Sequence, residues 1–388
     1  MKLLGVVIAN GFSSEARVFA NLLRERQGRY DVLIAHHEQA DAHPKDAGAP
    51  EEFERTARAP LFRFDSGWRR PPANGHSKAA KLRAQLMLHR RLPSVLAAAR
   101  RFQPDIVYSS QQRWDCYFAS ALASVLRVPH VMHLHYVVGP WLGAFSLWRL
   151  RHAAGVVCVS EFIRSQVLAN GTPADRARAI LNTQALDATP VRPRAAVREA
   201  LGLADDAPVL VFVSRLAEGK GHADALVAFA SVLANVPSAR LLIVGDGELE
   251  SSLKDKARQL ALGDAVQFLG FRRDIPELLA ASDFFLHPAR QEPFGLVILE
   301  AAARGLPTIA YDDGGPREII RDGVSGRLVR PGDTAGLAQA ILRWIEHPDE
   351  RERLGMAARD DLSSRFAPAI GGEHFASFLT ERLAAQRG

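Results

Sequence analysis

Cysteine is scarce in this chain. Cys116 and Cys158 are the only two among 388 residues, 42 positions apart. That excludes a disulfide framework, and the lack of any C-x2-C spacing excludes a thiolate metal site. A reducing, cytoplasmic compartment is the expectation. Long apolar runs are absent too: no window approaches ~18 continuous apolar residues, so nothing reads as a membrane span. The opening MKLLGVVIANG closes its short apolar run at Asn10-Gly11 without a small-residue cleavage site, which reads as a buried first strand rather than a signal peptide. Acidic residues are missing locally. From Ser66 to Pro104 there are nine Lys or Arg and no Asp or Glu, within a chain of formal charge +6. Such a stretch suits an anionic partner or is an Arg-rich solvated helix face. No aromatic-basic motif accompanies it, so nucleic acid is set aside as a partner.

What is present is ordinary for a water-exposed globular chain: 47% hydrophobic and 24% charged residues, at a length that suggests two domains. Short apolar runs alternate with amphipathic stretches. Strands are expected at Leu3–Ala9, Tyr30–Ala35, Asp105–Ser109, His130–His135 and Gly155–Val159, with helices such as Glu15–Arg26, Lys78–Arg101 and Arg113–Leu126 between them. Continuous apolar runs of that length suit strands buried on both faces, so the rhythm predicts a parallel, doubly wound α/β sheet. The segment LDATPVRPRAAV, 186–197, has two prolines and no periodicity and reads as a linker. The rhythm then restarts at Val209–Val213, Leu241–Val244, Val266–Leu269, Phe284–His287, Thr308–Tyr311 and Arg327–Val329. The expected fold is therefore two doubly wound Rossmann-like domains, 1–187 and 188–365, facing a central cleft, with a C-terminal helix at 366–388 packing back toward the first domain. Ligands of open α/β sheets bind beyond the strand C-termini, so the chemistry is sought in the loops that follow strands.

Four such loops stand out in the second half. SRLAEGKGHADAL, 214–226, places Arg215 and Lys220 in a glycine-containing turn before a helix. They form either a diphosphate site beside a helix N-terminus or two surface cations. In VGDGELE, 244–250, Gly245 and Gly247 allow a ligand to come close, and Asp246 accepts from hydroxyls or caps a helix starting near Glu248. In FLGFRRDIPELL, 268–279, Gly270, Phe271 and Arg272 leave a strand end, where backbone groups either meet a base edge or form a plain strand-to-helix turn with Asp274 as N-cap. The densest signal is HPARQEPFGLVILEAAARGLPTIAYDDGGPREII, 287–320. There Glu292 precedes a helix expected to begin near Phe294 or Gly295, and Glu300 follows about two turns on among apolar neighbours. A carboxylate on either side of uncapped helix N–H groups can accept from vicinal diols while the helix end binds phosphate. Gly314-Gly315 also allows close approach to a ligand. Asp312-Asp313 lacks a third ligand in register and makes a poor metal site, so no metal is expected.

Together SRLAEGKG, LLIVGDGELE, FLGF, EPFGLVILEAAARGLPTIA, GGPREII and DGVSGRLVRPGD resemble, in order and over 209–333, the family-4 retaining glycosyltransferases of the GT-B architecture. The resemblance implies a transferase moving a hexose-type sugar, with retention, from a nucleoside-diphosphate sugar. UDP is the expected carrier, and no other cofactor is implied. Glu292 and Glu300 match the ends of the family's E-x7-E motif, the first on the donor sugar and the second on the ribose. Arg215 and Lys220 match the pair that neutralises the diphosphate, joined by the amides of Gly295, Leu296 and Val297. Phe271 and Arg272 sit where the nucleobase lies. In PHVMHLHYVVG, His135 matches a position beside the donor sugar, with His133 on the same strand face as its rival. Asn182 matches the residue ending the first domain's last strand, followed here by Thr183 rather than Gly. The first loop, NGFSSEAR at 10–17, has only Gly11 where family members often carry a glycine pair.

The acceptor is a hydroxyl of a glycan, a lipid-linked saccharide or a small metabolite. Related enzymes often work on lipid-linked acceptors, so the basic tract 69–101 and PWLGAFSLWRLRH, 140–152, with Trp141, Phe145 and Trp148, suggest peripheral contact with an anionic membrane face. Those aromatics otherwise pack in a core. The alternative to an enzyme is a non-catalytic nucleotide-sugar-binding protein of the same fold.

Overall fold

The computed structural model describes residues 1–8, 14–25, 28–37, 49–65, 90, 92–110, 113–185 and 192–387. The chain divides into two compact units, Met1–Thr183 with Pro368–Gly388, and Gln184–Ala367. Each is built on one parallel sheet.

The first unit holds β1 (Lys2–Val7), β2 (Asp31–His37), β3 (Leu61–Phe64), β4 (Ile106–Ser109), β5 (His130–Leu134), β6 (Gly155–Cys158) and β7 (Ala177–Ala179), ordered 3-2-1-4-5-6-7. Its central strands are buried along their whole length, as the unbroken apolar runs require. Two strands escape the sequence reading, β3 and β7. They are the two edges, only LFRF and ARA, and each carries an arginine where a central strand would be apolar. β2 runs two residues past its expected end, which carries His36 and His37 into the buried sheet. Both cysteines are free and buried, and burial raises the Cys116 thiol to about 11. The helix Pro368–Arg387 packs inside this unit. Phe375 meets Tyr108 edge-on at 5.2 Å, and Arg178 pairs with Glu381 at 2.6 Å. Of the expected helix Lys78–Arg101, residues 78–89 and 91 lie outside the described residues, and Leu92–Phe102 is helical.

The second unit holds β8 (Val209–Val213), β9 (Arg240–Val244), β10 (Val266–Gly270), β11 (Phe284–His287), β12 (Thr308–Tyr311) and β13 (Gly326–Val329), ordered 10-9-8-11-12-13. Phe212, Leu286, Phe284 and Trp344 meet in its core. Each such side chain removed from water contributes roughly 1.5–3 kcal/mol. The expected linker is corrected at its C-terminal end. Residues 186–191 lie outside the described residues, but Arg194–Ala200 is a helix whose preceding Pro193 supplies a pre-set φ of −58°. Three arginines fasten this segment to the second unit. Arg192 pairs with Asp274 and Glu277, while Arg194 and the buried Arg198 share Asp283.

Strand order decides where a ligand can sit. In the second sheet the winding reverses between β8 and β11, which are paired neighbours. The crevice beyond their C-terminal ends is the switch point, the usual ligand position in this architecture. The loops leaving those two strands are 214–221 and 288–295.

Candidate functional site

The two switch-point loops are tied backbone to backbone. Arg290 N–H donates to the Gly219 carbonyl at 2.8 Å. Gly221, at φ +80°, lies so close to the second loop that a Cβ there would stand 1.9 Å from the Pro288 carbonyl oxygen. This brings Lys220 Nζ within 2.8 Å of Glu292 Oε2. His287, the last residue of β11, places Nε2 3.5 Å from the same oxygen, an electrostatic contact rather than a full hydrogen bond. Burial alone would raise the Glu292 carboxyl. The His287 ring and the Lys220 ammonium overcome it and hold the carboxyl down to about 2. Glu292 is therefore an anion at neutral pH and acts as a hydrogen-bond acceptor, not as an acid. It follows Gln291, which is held at φ +49°, a strained left-handed conformation for a side-chain-bearing residue.

The glycines of neighbouring loops are pressed against backbone. The sequence reading let Gly314-Gly315 and Gly245 admit a ligand; in the structure each also admits a neighbouring backbone. Gly314 bridges to Glu292, and Gly315 N–H donates to the Glu292 carbonyl at 2.8 Å. A Cβ on Gly315 would lie 2.3 Å from Phe294 Cα. Likewise a Cβ on Gly245 would lie 1.9 Å from the Ser214 carbonyl oxygen, beside Arg215. Asp246 does not cap a helix, because the following helix begins at Glu250 with Leu249 at its N-cap. Asp274 stands at its N-cap position but its side chain does not cap. Arg272 instead forks onto it, at 2.8 and 2.5 Å.

The helix after Glu292 is Leu296–Ala303, entered through Gly295 at φ +101° with no side-chain cap. Its first N–H groups, including those of Leu296 and Val297, lack an internal carbonyl partner and carry the positive end of the helix dipole. Phe294 is buried edge-on against Phe366 at 6.3 Å, so its side chain anchors the helix start. Glu300 is half-buried on this helix. Arg215 is exposed and lies 3.5 Å from an equally exposed Glu248, a weak pairing. Phe271, just after β10, is 48% exposed.

Several site residues were not singled out in the sequence. His287 was one. His222 is another: it stacks on Phe212 at 4.4 Å and meets Ser214 Oγ at 3.0 Å. Burial first, then the Lys220 and His287 charges, lower it to about 4. Asp224 accepts from both Arg290 and Tyr311 at 2.9 Å. The available signal was a polar residue ending, or opening beside, an otherwise apolar strand at the switch point.

Comparison with known proteins agrees with the two-sheet fold. Residues 193–361 match Glycosyl transferases group 1, and residues 16–183 match Glycosyltransferase Family 4. The lipopolysaccharide core biosynthesis glycosyltransferase LpsE of Rhizobium meliloti is 30% identical over 84% of this chain and 90% of its own. The chain belongs to the GT-B glycosyltransferases. The N-acetyl-alpha-D-glucosaminyl L-malate synthase of Bacillus anthracis is 34% identical, and the match spans 44% of either chain, less than half of that relative. The crystal structure of Anabaena Alr3699/HepE in complex with UDP-glucose shares the fold of this glycosyltransferase. Its TM-score is 0.78 and its identity 26%, over 98% of this chain and 100% of that one.

In the first unit of the glycosyltransferase the two candidate histidines lie ring against ring, centroids 4.0 Å apart and planes tilted by 39°. His133 lies inside β5, fully buried, with Nδ1 2.5 Å from Tyr108 Oη. His135 lies one residue beyond the strand and is the more exposed, at 9% against 2%. Burial lowers His135 to about 4, opposed by the Glu15 charge and a hydrogen bond with the Ser110 backbone. Its Nε2 has no hydrogen-bond partner among the described residues, nor does Asn182 Oδ1. Gly11 lies outside the described residues. Among the described residues no helix is long and apolar enough to cross a membrane, and no group of three His, Cys, Asp or Glu is placed to hold a metal ion.

Proposed function

We propose that this glycosyltransferase moves a hexose-type sugar, with retention and without a metal, from a UDP-linked donor to a hydroxyl acceptor. The observation carrying this reading is the buried, ionised Glu292, shared by Lys220 and standing four residues before an uncapped helix N-terminus. A carboxylate kept anionic by its neighbours accepts from sugar hydroxyls. The ammonium and helix N–H groups beside it favour a diphosphate. Glu300 would accept from the ribose hydroxyls, Phe271 and the Arg272 backbone would meet the base, and Arg215, exposed and only weakly paired, would close on the phosphates.

In the reaction the anomeric C–O bond to the diphosphate breaks, and the electron pair leaves with the diphosphate. The acceptor oxygen bonds to the anomeric carbon on the face being vacated, which retains configuration, and its proton passes to the departing phosphate oxygen. Lys220, Arg215 and the helix N-terminus stabilise the charge that develops there. His135, neutral at pH 7, would contribute a hydrogen bond to the transferred sugar.

Donor-dependent release of nucleoside diphosphate with a mixed acceptor pool tests the reading. Glu292→Ala is expected to abolish release. Arg215→Ala is expected to weaken diphosphate binding, and Lys220→Ala to lower turnover about 10²–10³-fold. Chelator is expected to leave the rate unchanged. Persistent absence of release by folded protein points instead to a nucleotide-sugar-binding protein.

A lipid-linked saccharide is the proposed acceptor class, with peripheral docking of the first unit on an anionic bilayer. Supporting it, Trp141 and Trp148 are 46% and 47% exposed, while Phe145 is half-buried against Tyr117 at 4.7 Å. Of the basic tract 69–101, Arg100 and Arg101 end an exposed helix face, whereas 69–89 and 91 lie outside the described residues. Co-sedimentation with anionic liposomes at low salt, lost in Trp141→Ser/Trp148→Ser, is the expected result. No sedimentation of the wild type removes the docking idea.

A further inference from the structure

The first unit contains a cavity of about 560 Å³ far from any strand C-terminus. Part of its wall comes from residues that immediately precede or open β4, β5, β6 and β7, four consecutive neighbours in the sheet, and part from the ends of the helices Arg113–Leu126, Ala144–His152 and Pro368–Arg387. It therefore lies on the edge opposite to the one where this architecture places its substrates. Three arginines line it: Arg127, Arg149 and Arg176. None of the three has a carboxylate within ion-pair distance among the described residues. Arg149 is half-buried. Its Nη2 reaches the neutral His130 ring at 3.2 Å and its guanidinium carbon lies 5.7 Å from the Trp148 ring centre, while its Nε has no hydrogen-bond partner among the described residues. His152 adds a further nitrogen ring to the wall. The one carboxylate there, Asp105, accepts from the Lys2 backbone N–H at 2.8 Å.

The contrast with the second unit is instructive. A cavity of about 580 Å³ beside β13 is also lined by arginines, but there Arg327 pairs with Asp322 and Arg343 with Glu350. Two of its three arginines are thus paired, and Asp333 shares the wall with the third, Arg330. In the first unit helix C-termini explain part of the attraction for cations. They supply no counter-charge, however, to the three guanidinium groups that line this one space. A half-buried guanidinium without a counter-charge is costly, and a ligand that supplies one is favoured accordingly.

We propose that this cavity is an anion site, separate from the donor site, for a phosphate or diphosphate group. Guanidinium forks match phosphate oxygens two at a time, and the cavity volume falls in the range of small-ligand sites. The group arrives either on a soluble metabolite or on a lipid headgroup.

The test is calorimetric titration of the full chain with inorganic pyrophosphate, in wild type, Lys220→Ala and Arg127→Gln/Arg176→Gln. Lys220→Ala removes one cation from the proposed donor site and is expected to keep a pyrophosphate-binding event. The double arginine variant, in the Lys220→Ala background, is expected to lose it by at least ~10-fold in affinity, since each charged hydrogen bond is worth about 1.5–3 kcal/mol. Arg127 is exposed and Arg176 partly so, which makes folding of that variant the expected control, checked by its thermal transition. Vesicles of phosphatidate in phosphatidylcholine form the second arm, against phosphatidylcholine alone. Arginine-dependent binding to pyrophosphate assigns a soluble ligand, and arginine-dependent binding to phosphatidate vesicles alone assigns a headgroup. Overturning the proposal takes either no binding in both arms or binding that the double arginine variant leaves unchanged.

Discussion

Glu292 is the residue on which most of the proposed chemistry turns. Its folded-state value, about 2, lies below the ordinary 4.5. A carboxyl depressed on folding adds stability that is fully present above about pH 4.5 and is lost as pH falls toward 2. Chemical-denaturation midpoints measured from pH 6 to pH 2 are expected to fall more steeply in wild type than in Glu292→Gln. At pH 7 the same substitution is expected to cost about 1–3 kcal/mol, because it leaves the ammonium of Lys220 without its partner. The lower part of that range is favoured, since the Lys220 side chain is one-third exposed and water screens it. Equal slopes for the two proteins would show that Lys220 and His287 do not hold the carboxyl as the distances indicate.

At the scale of elements, the site is an arrangement of loops pressed together through glycine. Gly315 touches Phe294, Gly314 touches Glu292, and Gly221 touches Pro288, each too closely for a Cβ. Gly315→Ala is therefore expected to push the 312–316 loop off the Glu292 backbone, cost about 1–3 kcal/mol by overpacking, and lower turnover with it. Thermal melts and turnover measured on one preparation check this; loss of activity with an unchanged melting temperature would separate the two effects. Pro193 and the arginines that follow make a second element-level case. Arg198 is buried with Asp283 and four carbonyl oxygens as acceptors. Arg198→Ala leaves the Asp283 carboxylate with less of its counter-charge and is expected to cost about 3–5 kcal/mol, seen as an early loss of the second unit in denaturant.

For the whole molecule, acid sensitivity is written into buried neutral histidines. Burial lowers His36, His135 and His222 to about 4 and His130 to about 3. A histidine depressed on folding contributes stability present above 6.5 and lost as pH falls through those values. Stability is thus expected to decline from pH 6.5 downward, before the Glu292 window is reached. Denaturant midpoints at pH 7 and pH 5 check it, with a flat response counting against buried, neutral rings. Because the chain has two units with separate cores, such curves are expected to show more than one transition.

The amino-acid sequence by itself determined the two parallel α/β units, because apolar runs and helical periodicity are local properties. It likewise marked loops 214–221 and 287–300, whose residue types follow one another in order. It missed β3 and β7, since edge strands need no continuous apolar run, and it read Arg194–Val197 as linker because their anchors, Asp274, Glu277 and Asp283, lie some eighty positions on. Only the tertiary structure decided that Lys220 rests on Glu292, 72 positions away, with His287 beside them. The same holds for the glycines, whose partners turned out to be backbone, and for Arg127, Arg149 and Arg176, gathered around one cavity. The physical reason is common to all of these. They depend on which strands lie side by side, β8 against β11 and β4 through β7 in sequence, and strand neighbourhood is a product of long-range packing that no local pattern encodes.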